Sequence, residues 1–463
     1  MAILAAAAVP HPPIILPEVG QGEEKKIEAT TRAYHEVMAR AVALKPETVL
    51  IISPHATIYA DYFHISPGEG ASGDMGQFRA TQVKFEVAYD EEFVQELTGI
   101  CEQQNIPAGT LGARQPRLDH GTMIPLYFLR EHLPLEKLQF VRIGFSGLAA
   151  QEHYRFGQCI ARAAERLGRR VLLIASGDLS HKLKKDGPYG LAPEGPVFDR
   201  LATESLGKAD YLSLMAVEPE LAEAAAECGL RSFWIMAGAL DRRAVKAELL
   251  SYEGTFGVGY GVAWELPEGE DESRNFCEQY LTLRREAMEK TRAGEDALVR
   301  LARASLEYYV QHHEVLPLPE GLPPELLQQR SGAFVSLKKD GKLRGCIGTF
   351  LPTRDNLAQE IIYNAISAGT HDSRFDQVTA EELPELVYDV DVLTEPEPID
   401  SPKKLDVRRY GVIVQCGNRR GLLLPDLAGV DTVEQQIDIA RRKGNIGQKE
   451  PVQLYRFEVA RHT

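Results

Sequence analysis

The stretch ILAAAAVPHPP, Ile3–Pro13, decides how the first half of the chain is read. The apolar run Ile3–Val9 is closed by proline and is short for a helix, so it reads as a strand buried on both faces. His11 follows at once, between Pro10 and Pro12, whose fixed φ stiffens the backbone presenting the imidazole. Alone, such a histidine is more often a turn residue than a ligand.

Three other places repeat the arrangement. Thr48–Ser53 (TVLIIS) runs into His55, Val171–Gly177 (VLLIASG) runs into Asp178 and His181, and Ala247–Tyr252 (AELLSY) ends at Glu253. A fifth candidate, His120, lies in RLDHGTMIPL (Arg117–Leu126), in a loop before a helix. Helical segments at Glu23–Ala43 and Ala149–Gly168 separate the strands, and Leu135–Ser146 adds another strand, so the first part is predicted to be an α/β sheet. Ligands of open α/β sheets bind beyond the carboxyl ends of the strands, so His11, His55, His181 and Glu253 are predicted to face one crevice. Two imidazoles and a carboxylate form the facial triad of non-haem Fe(II) sites, and a remaining histidine can move a proton. The string GTFGVGYG precedes strand-like VAWEL rather than a helix, which argues against a dinucleotide loop.

The text changes character at PEGEDESRN, Pro267–Asn275. Three segments follow: a first domain over 1–267, an acidic helical linker over 268–292 and a second domain over 293–463. The second domain alternates hairpin signals, including a Lys339-Asp340-Gly341-Lys342 turn, with segregated helices, and reads as α+β. The 463-residue chain carries 67 acidic and 52 basic residues, a formal net charge of −15. That balance disfavours a nucleic-acid or anionic-membrane partner. The six cysteines form no CxxC pair, which argues against zinc knuckles, iron–sulfur sites and a disulfide framework and for reduced thiols. The N-terminus has no basic region of a signal peptide, and no stretch approaches the ~20 apolar residues of a membrane helix. The expected location is cytoplasmic.

The motifs VPHPP, SPHA, DHGTMIPL, SGDLSHKL and LLSYEGTFGVGYGVAW, in this order and spacing, resemble the LigB-type class III extradiol dioxygenases and the related Memo proteins over residues 1 to 266. The resemblance implies a LigB/Memo-like mixed sheet flanked by helices. It makes His11, His55 and Glu253 ligands of Fe(II) (Fe2+) or another divalent ion, His181 the acid/base and His120 a second active-site histidine. The implied substrate is a small catechol- or aminophenol-like aromatic, opened with O2. The second domain carries LRGCIGTF (Leu343–Phe350), HDSRFDQV and GLLLPDLA and resembles AMMECR-type domains. The fusion resembles proteins of the AmmeMemoRadiSam type, which implies a radical-SAM protein as partner. Cys346 stands two residues from Arg344, and a neighbouring cation favours a thiolate nucleophile. The competing reading of Cys346 is a small core filler. Two rival functions are a Memo-like, non-catalytic metal- or ligand-binding interaction protein, and an O2-independent enzyme on a phenolic substrate.

Overall fold

A computed structural model describes residues 2–463 apart from Gln115 and Ala428; Ala428 is the last residue of the GLLLPDLA string. The chain divides into two compact units, Met1–Arg284 and Arg285–Thr463.

The first unit is built on a six-stranded sheet. Its strands are β1 (Ile3–Val9), β2 (Thr48–Ile52), β3 (Gln139–Ile143), β4 (Val171–Ser176), β5 (Arg243–Glu253) and β6 (Tyr260–Glu270). Their spatial order is β3-β2-β4-β1-β6-β5. The first four run parallel, β6 is antiparallel to β1, and β5 is antiparallel to β6. The mixed α/β sheet flanked by helices is the expected fold. The alanine run of β1 lets layers close in on both faces. Ala6 and Ala8 join one core with Tyr154, Ile160 and Phe233, from helices Ala150–Leu167 and Leu230–Ala239. Ala5, Ala7 and Val9 join the other with Tyr34, Val37 and Met123, from α1 (Glu28–Ala43) and α2 (His120–Arg130). Each large apolar side chain buried this way contributes ~1.5–3 kcal/mol. Helices Ala150–Leu167 and Leu230–Ala239 meet at glycines: a Cβ on Gly238 would stand 1.9 Å from the Tyr154 carbonyl oxygen.

The sequence reading differs in detail. Leu135–Ser146 resolves into a short 3-10 turn, Leu135–Lys137, and a strand over Gln139–Ile143 only. Three helices between Glu194 and Ala225 were not read from the sequence. The segment 268–292 comprises the end of β6, a 3-10 turn at Glu272–Arg274 and most of the helix Phe276–Gly294, inside which the two units divide.

The second unit is α+β. One antiparallel sheet, in the order Lys342–Gly348, Ala333–Lys339, Val387–Leu393, Val459–His462, shares a core with helices Ala297–His312 and Leu357–Thr370. A second antiparallel sheet has helix Val433–Lys443 against it. The Lys339–Lys342 hairpin turns through Asp340 and Gly341, both at positive φ (52° and 72°), as a two-residue primed turn requires.

Candidate metal centre

Strands β2, β4 and β1 lie side by side and run parallel, so their carboxyl ends share one edge. His55 follows β2, Ser176 ends β4, and His11 follows β1. His120 is the first residue of α2. The donor atoms of His11, His55 and His120 all lie within 4.8 Å of one another. His11 Nε2 faces His55 Nε2 at 3.0 Å, and the rings of His55 and His120 have centroids 4.0 Å apart.

His11 is held from three sides. Its N–H donates to Asp178 Oδ1 at 2.7 Å. The Tyr34 hydroxyl donates to the Pro10 carbonyl just before it. Its Nδ1 lies 3.0 Å from Ser176 Oγ, and that hydroxyl donates its proton to the Gly121 carbonyl at 2.7 Å. A hydroxyl has one proton, so Ser176 accepts from His11. The imidazole proton then sits on Nδ1, and the Nε2 lone pair points into the cluster.

His55 and His120 are placed through the backbone. The His55 N–H donates to Ser53 Oγ at 3.2 Å, and Ser53 Oγ donates to Asp119 Oδ1 at 2.5 Å. Asp119 caps α2, accepting from Thr122 N at 3.0 Å and from Thr122 Oγ1 at 2.9 Å. Gly121 permits the approach, because a Cβ there would lie 2.4 Å from Ser53 Oγ and 3.3 Å from His55 Cδ2.

Burial, reinforced by the neighbouring His55, pushes His11 down to about 3. Burial and the charges of His55 and His11 push His120 down to about 3 as well. Burial also lowers His55, against the attraction of Asp119 and Asp178. At neutral pH all three imidazoles are neutral, the form that binds a metal ion. Asp178, beside them, is pushed up to about 6 by burial, with the His11 N–H opposing the shift.

His181 lies at the same edge. Its N–H donates to the Ala225 carbonyl at 3.0 Å, and its ring stands edge-on to Tyr189, centroids 5.2 Å apart. Its Nδ1 is buried and has no hydrogen-bond partner among the described residues. The Phe78 ring stands edge-on to His120 at 5.4 Å.

Glu253 is the carboxylate expected among the ligands. It lies outside the histidine group, and its Oε2 accepts from Thr30 N and Thr30 Oγ1, each at 2.7 Å. The reason is the sheet order: β5 is the edge strand, two positions or roughly 10 Å from β1. From there the carboxylate meets the free N–H groups and positive end of α1. His120, expected near the substrate, stands with His11 and His55 in the group that could hold a metal ion. Sequence reasoning missed Cys228, whose Sγ is 3.7 Å from His11 Nε2 and accepts from the Asp178 N–H at 3.3 Å. Its arrival depends on Gly177, where a Cβ would lie 2.1 Å from Gly229 Cα. Only that pair of close-packed glycines signals it.

In the second unit, the Arg344 guanidinium is engaged by Glu382 and Asp376. Its Nε and Nη2 pair with Glu382 at 2.9 and 3.0 Å, and its Nη1 donates to the Asp376 carbonyl at 2.9 Å. The cation at Cys346 is Arg374, which donates to the Cys346 carbonyl at 3.3 Å while Asp372 accepts from the Cys346 N–H at 2.9 Å. Ser336 Oγ donates to Cys346 Sγ at 3.2 Å. The ring of His371 is engaged by Thr370 Oγ1 at 2.7 Å. Among the described residues, no helix is long and apolar enough to cross a membrane.

The family model described as the catalytic LigB subunit of aromatic ring-opening dioxygenase matches residues 5–263, and the AMMECR1 model matches residues 299–462. A Clostridium acetobutylicum protein is 40% identical to this chain over 98% of both. A Thermotoga maritima protein is 51% identical over 171 residues, 36% of this chain and 98% of its own. The crystal structure of an uncharacterised Pyrococcus horikoshii protein is similar at 34% identity and a TM-score of 0.34, covering 35% of this chain and 88% of its own. With its first domain matched almost from end to end and the second domain joined to it, this chain belongs to the LigB family and carries an AMMECR1 domain in the same polypeptide.

Proposed function

We propose that the first domain is a metal-dependent enzyme of the extradiol dioxygenase type, acting on a catechol- or aminophenol-like ring with Fe(II) held by His11, His55 and His120. The observation that carries this reading is the convergence of three neutral imidazoles, one with its tautomer set by Ser176. Three nitrogen donors at a strand-end crevice fit a divalent transition ion. Bound Fe(II) supplies Lewis acidity toward phenolic oxygens and one-electron chemistry toward O2.

The protein's own groups do the rest. His181, with its buried Nδ1 unpartnered among the described residues, receives a phenolic proton at that atom and returns it. Phe78 and Tyr189 offer ring faces and edges against which an aromatic substrate orients. Asp178 keeps the His11 backbone in place through the N–H it accepts.

A specific observation favours a second reading. With Glu253 on Thr30 and Cys228 beside His11, the donor set departs from two histidines and a carboxylate. A Memo-like module that binds a metal or small ligand without opening a ring, or an O2-independent enzyme with a radical-SAM partner, uses the same residues.

The test is anaerobic reconstitution with Fe(II), followed by a catechol panel and O2. A yellow ring-opened product, lost in His11→Ala and His120→Ala, supports the enzyme. Metal binding without turnover moves the reading to the binding module. Wild-type protein that takes up no metal overturns both. Glu253→Ala is expected to keep the metal and to lose about 1–2 kcal/mol of stability, by leaving the Thr30 N–H unpaired.

A further inference from the structure

Strand β3 is apolar at Phe140, Val141 and Ile143, yet Arg142 stands among them and is only 2% exposed. Placing a guanidinium there costs several kcal/mol unless its surroundings answer it. Hydrophobic residues would pack the strand without that cost, so the position of the charge needs a reason beyond the sheet.

Arg142 reaches the segment that leads into α2. Its Nε donates to Ser66 Oγ at 2.8 Å, its Nη1 donates to the Arg117 carbonyl at 2.8 Å, and the same nitrogen is 3.8 Å from Asp119 Oδ2. It therefore grips residues 117 and 119 from beneath, one by the backbone and one by the carboxylate.

Asp119 is where His55 and His120 meet. It receives Ser53, which receives the His55 N–H, and it caps the helix whose first residue is His120. His11 is oriented through its own ring nitrogen by Ser176, whereas these two depend on a common carboxylate. We infer that Arg142 is a positioning residue of the metal centre: acting through Asp119, it fixes the spacing of His55 and His120. Its effect on the histidines travels by way of Asp119, whose carboxylate it faces at 3.8 Å. The inference rests on the metal reading above.

The test is the affinity of the full-length protein for Co(II), measured by competition with a chromophoric chelator, beside its thermal midpoint. Arg142→Met is expected to weaken Co(II) binding about 10–100-fold, the usual range for a lost outer partner of a ligand. Arg142→Lys keeps the charge but loses the fork to Ser66 and Arg117, and is expected to fall between. Asp119→Asn keeps a capping oxygen and removes the charge. Its loss and that of Arg142→Met are expected not to multiply in the double variant, because both act on one path. A purely structural arginine would lower the thermal midpoint and leave the affinity of the folded protein alone. Wild-type affinity in Arg142→Lys and in whatever fraction of Arg142→Met folds overturns the inference while sparing the metal reading, and so do losses that multiply in the double variant. Wild-type protein that binds no Co(II) overturns both.

Discussion

In the first unit the carboxyl groups of Asp199, Glu227 and Glu265 are pushed up by burial, to about 6, 7 and 8, whereas Asp271 is held down by Ser273. In the second unit the shifts run the other way. Asp372 is held below the usual carboxylate range by its hydrogen bonds with Arg374. At Glu382 burial is outweighed by Arg344, and Arg419 with the Gly447 N–H brings Glu450 down to about 2. The same side-chain chemistry is thus placed in two settings. Around the sheet of the first unit, carboxyls face hydroxyls and backbone N–H groups: Tyr211 on Glu265, Tyr252 and Ser180 N on Asp199, Leu230 N on Glu227. In the second unit they face guanidinium forks. In the first arrangement burial favours the protonated carboxyl; the second keeps its charges fixed from mildly acidic pH upward.

The strongest way to break this contrast is Glu265. It is fully buried in β6, and the Tyr211 hydroxyl donates to its Oε2. A carboxyl with a raised folded value holds its proton in the folded state after the unfolded chain has lost it. Its contribution is complete below the unfolded value of 4.5 and declines as pH rises toward the folded value of about 8. The slope over that window approaches −1.4 kcal/mol per pH unit, roughly one proton's worth. Glu265→Gln cannot ionise and is expected to flatten this limb in urea titrations run from pH 5 to pH 8. An unchanged slope would mean that other groups carry the pH dependence.

How far all this could be read beforehand depends on what was local. β1, β2 and β4 were legible because apolar runs stopped by proline or glycine carry the signal within a few residues, and His11 and His55 came with them. The Asp340-Gly341 turn was legible for the same reason. Sheet order was not local, and it decided Glu253: the residue ends a strand as expected, but on the edge, over the start of α1. Ser176 sits in the middle of a readable string, yet its service to His11 depends on β4 lying between β1 and β2. Cys228 lies 50 residues beyond Asp178 in the chain, and no motif near it announces the meeting.

A smaller effect of opposite sign is expected from Asp372. Its carboxylate takes the Cys346 N–H and Arg374, so its folded value is depressed. That contribution is present above the unfolded value near 4 and is lost as pH falls below it. Because the Arg374 side chain is 54% exposed, solvent screening limits the pair, and Asp372→Asn is expected to cost about 1 kcal/mol at pH 7 and less than that at pH 2. A loss of equal size at both pH values would assign the effect to packing rather than to charge.

The smallest measurement compares two cysteines. Cys228 and Cys346 are both half-buried. Burial pushes the Cys228 thiol well up, so it stays protonated beside His11. Cys346 instead lies on an outer strand of its sheet, its sulfur hydrogen-bonded by Ser336 and its carbonyl by Arg374. If the second unit uses this thiol as a nucleophile, a maleimide should label Cys346 at least about tenfold faster than Cys228 in the folded protein, as expected for a thiolate-forming site over an inert buried one. The fully buried Cys101 and Cys159 set the slow reference. Labelling of Cys346 at that reference rate would make it a filler of the strand face, held by Asp372 and Arg374 for shape alone.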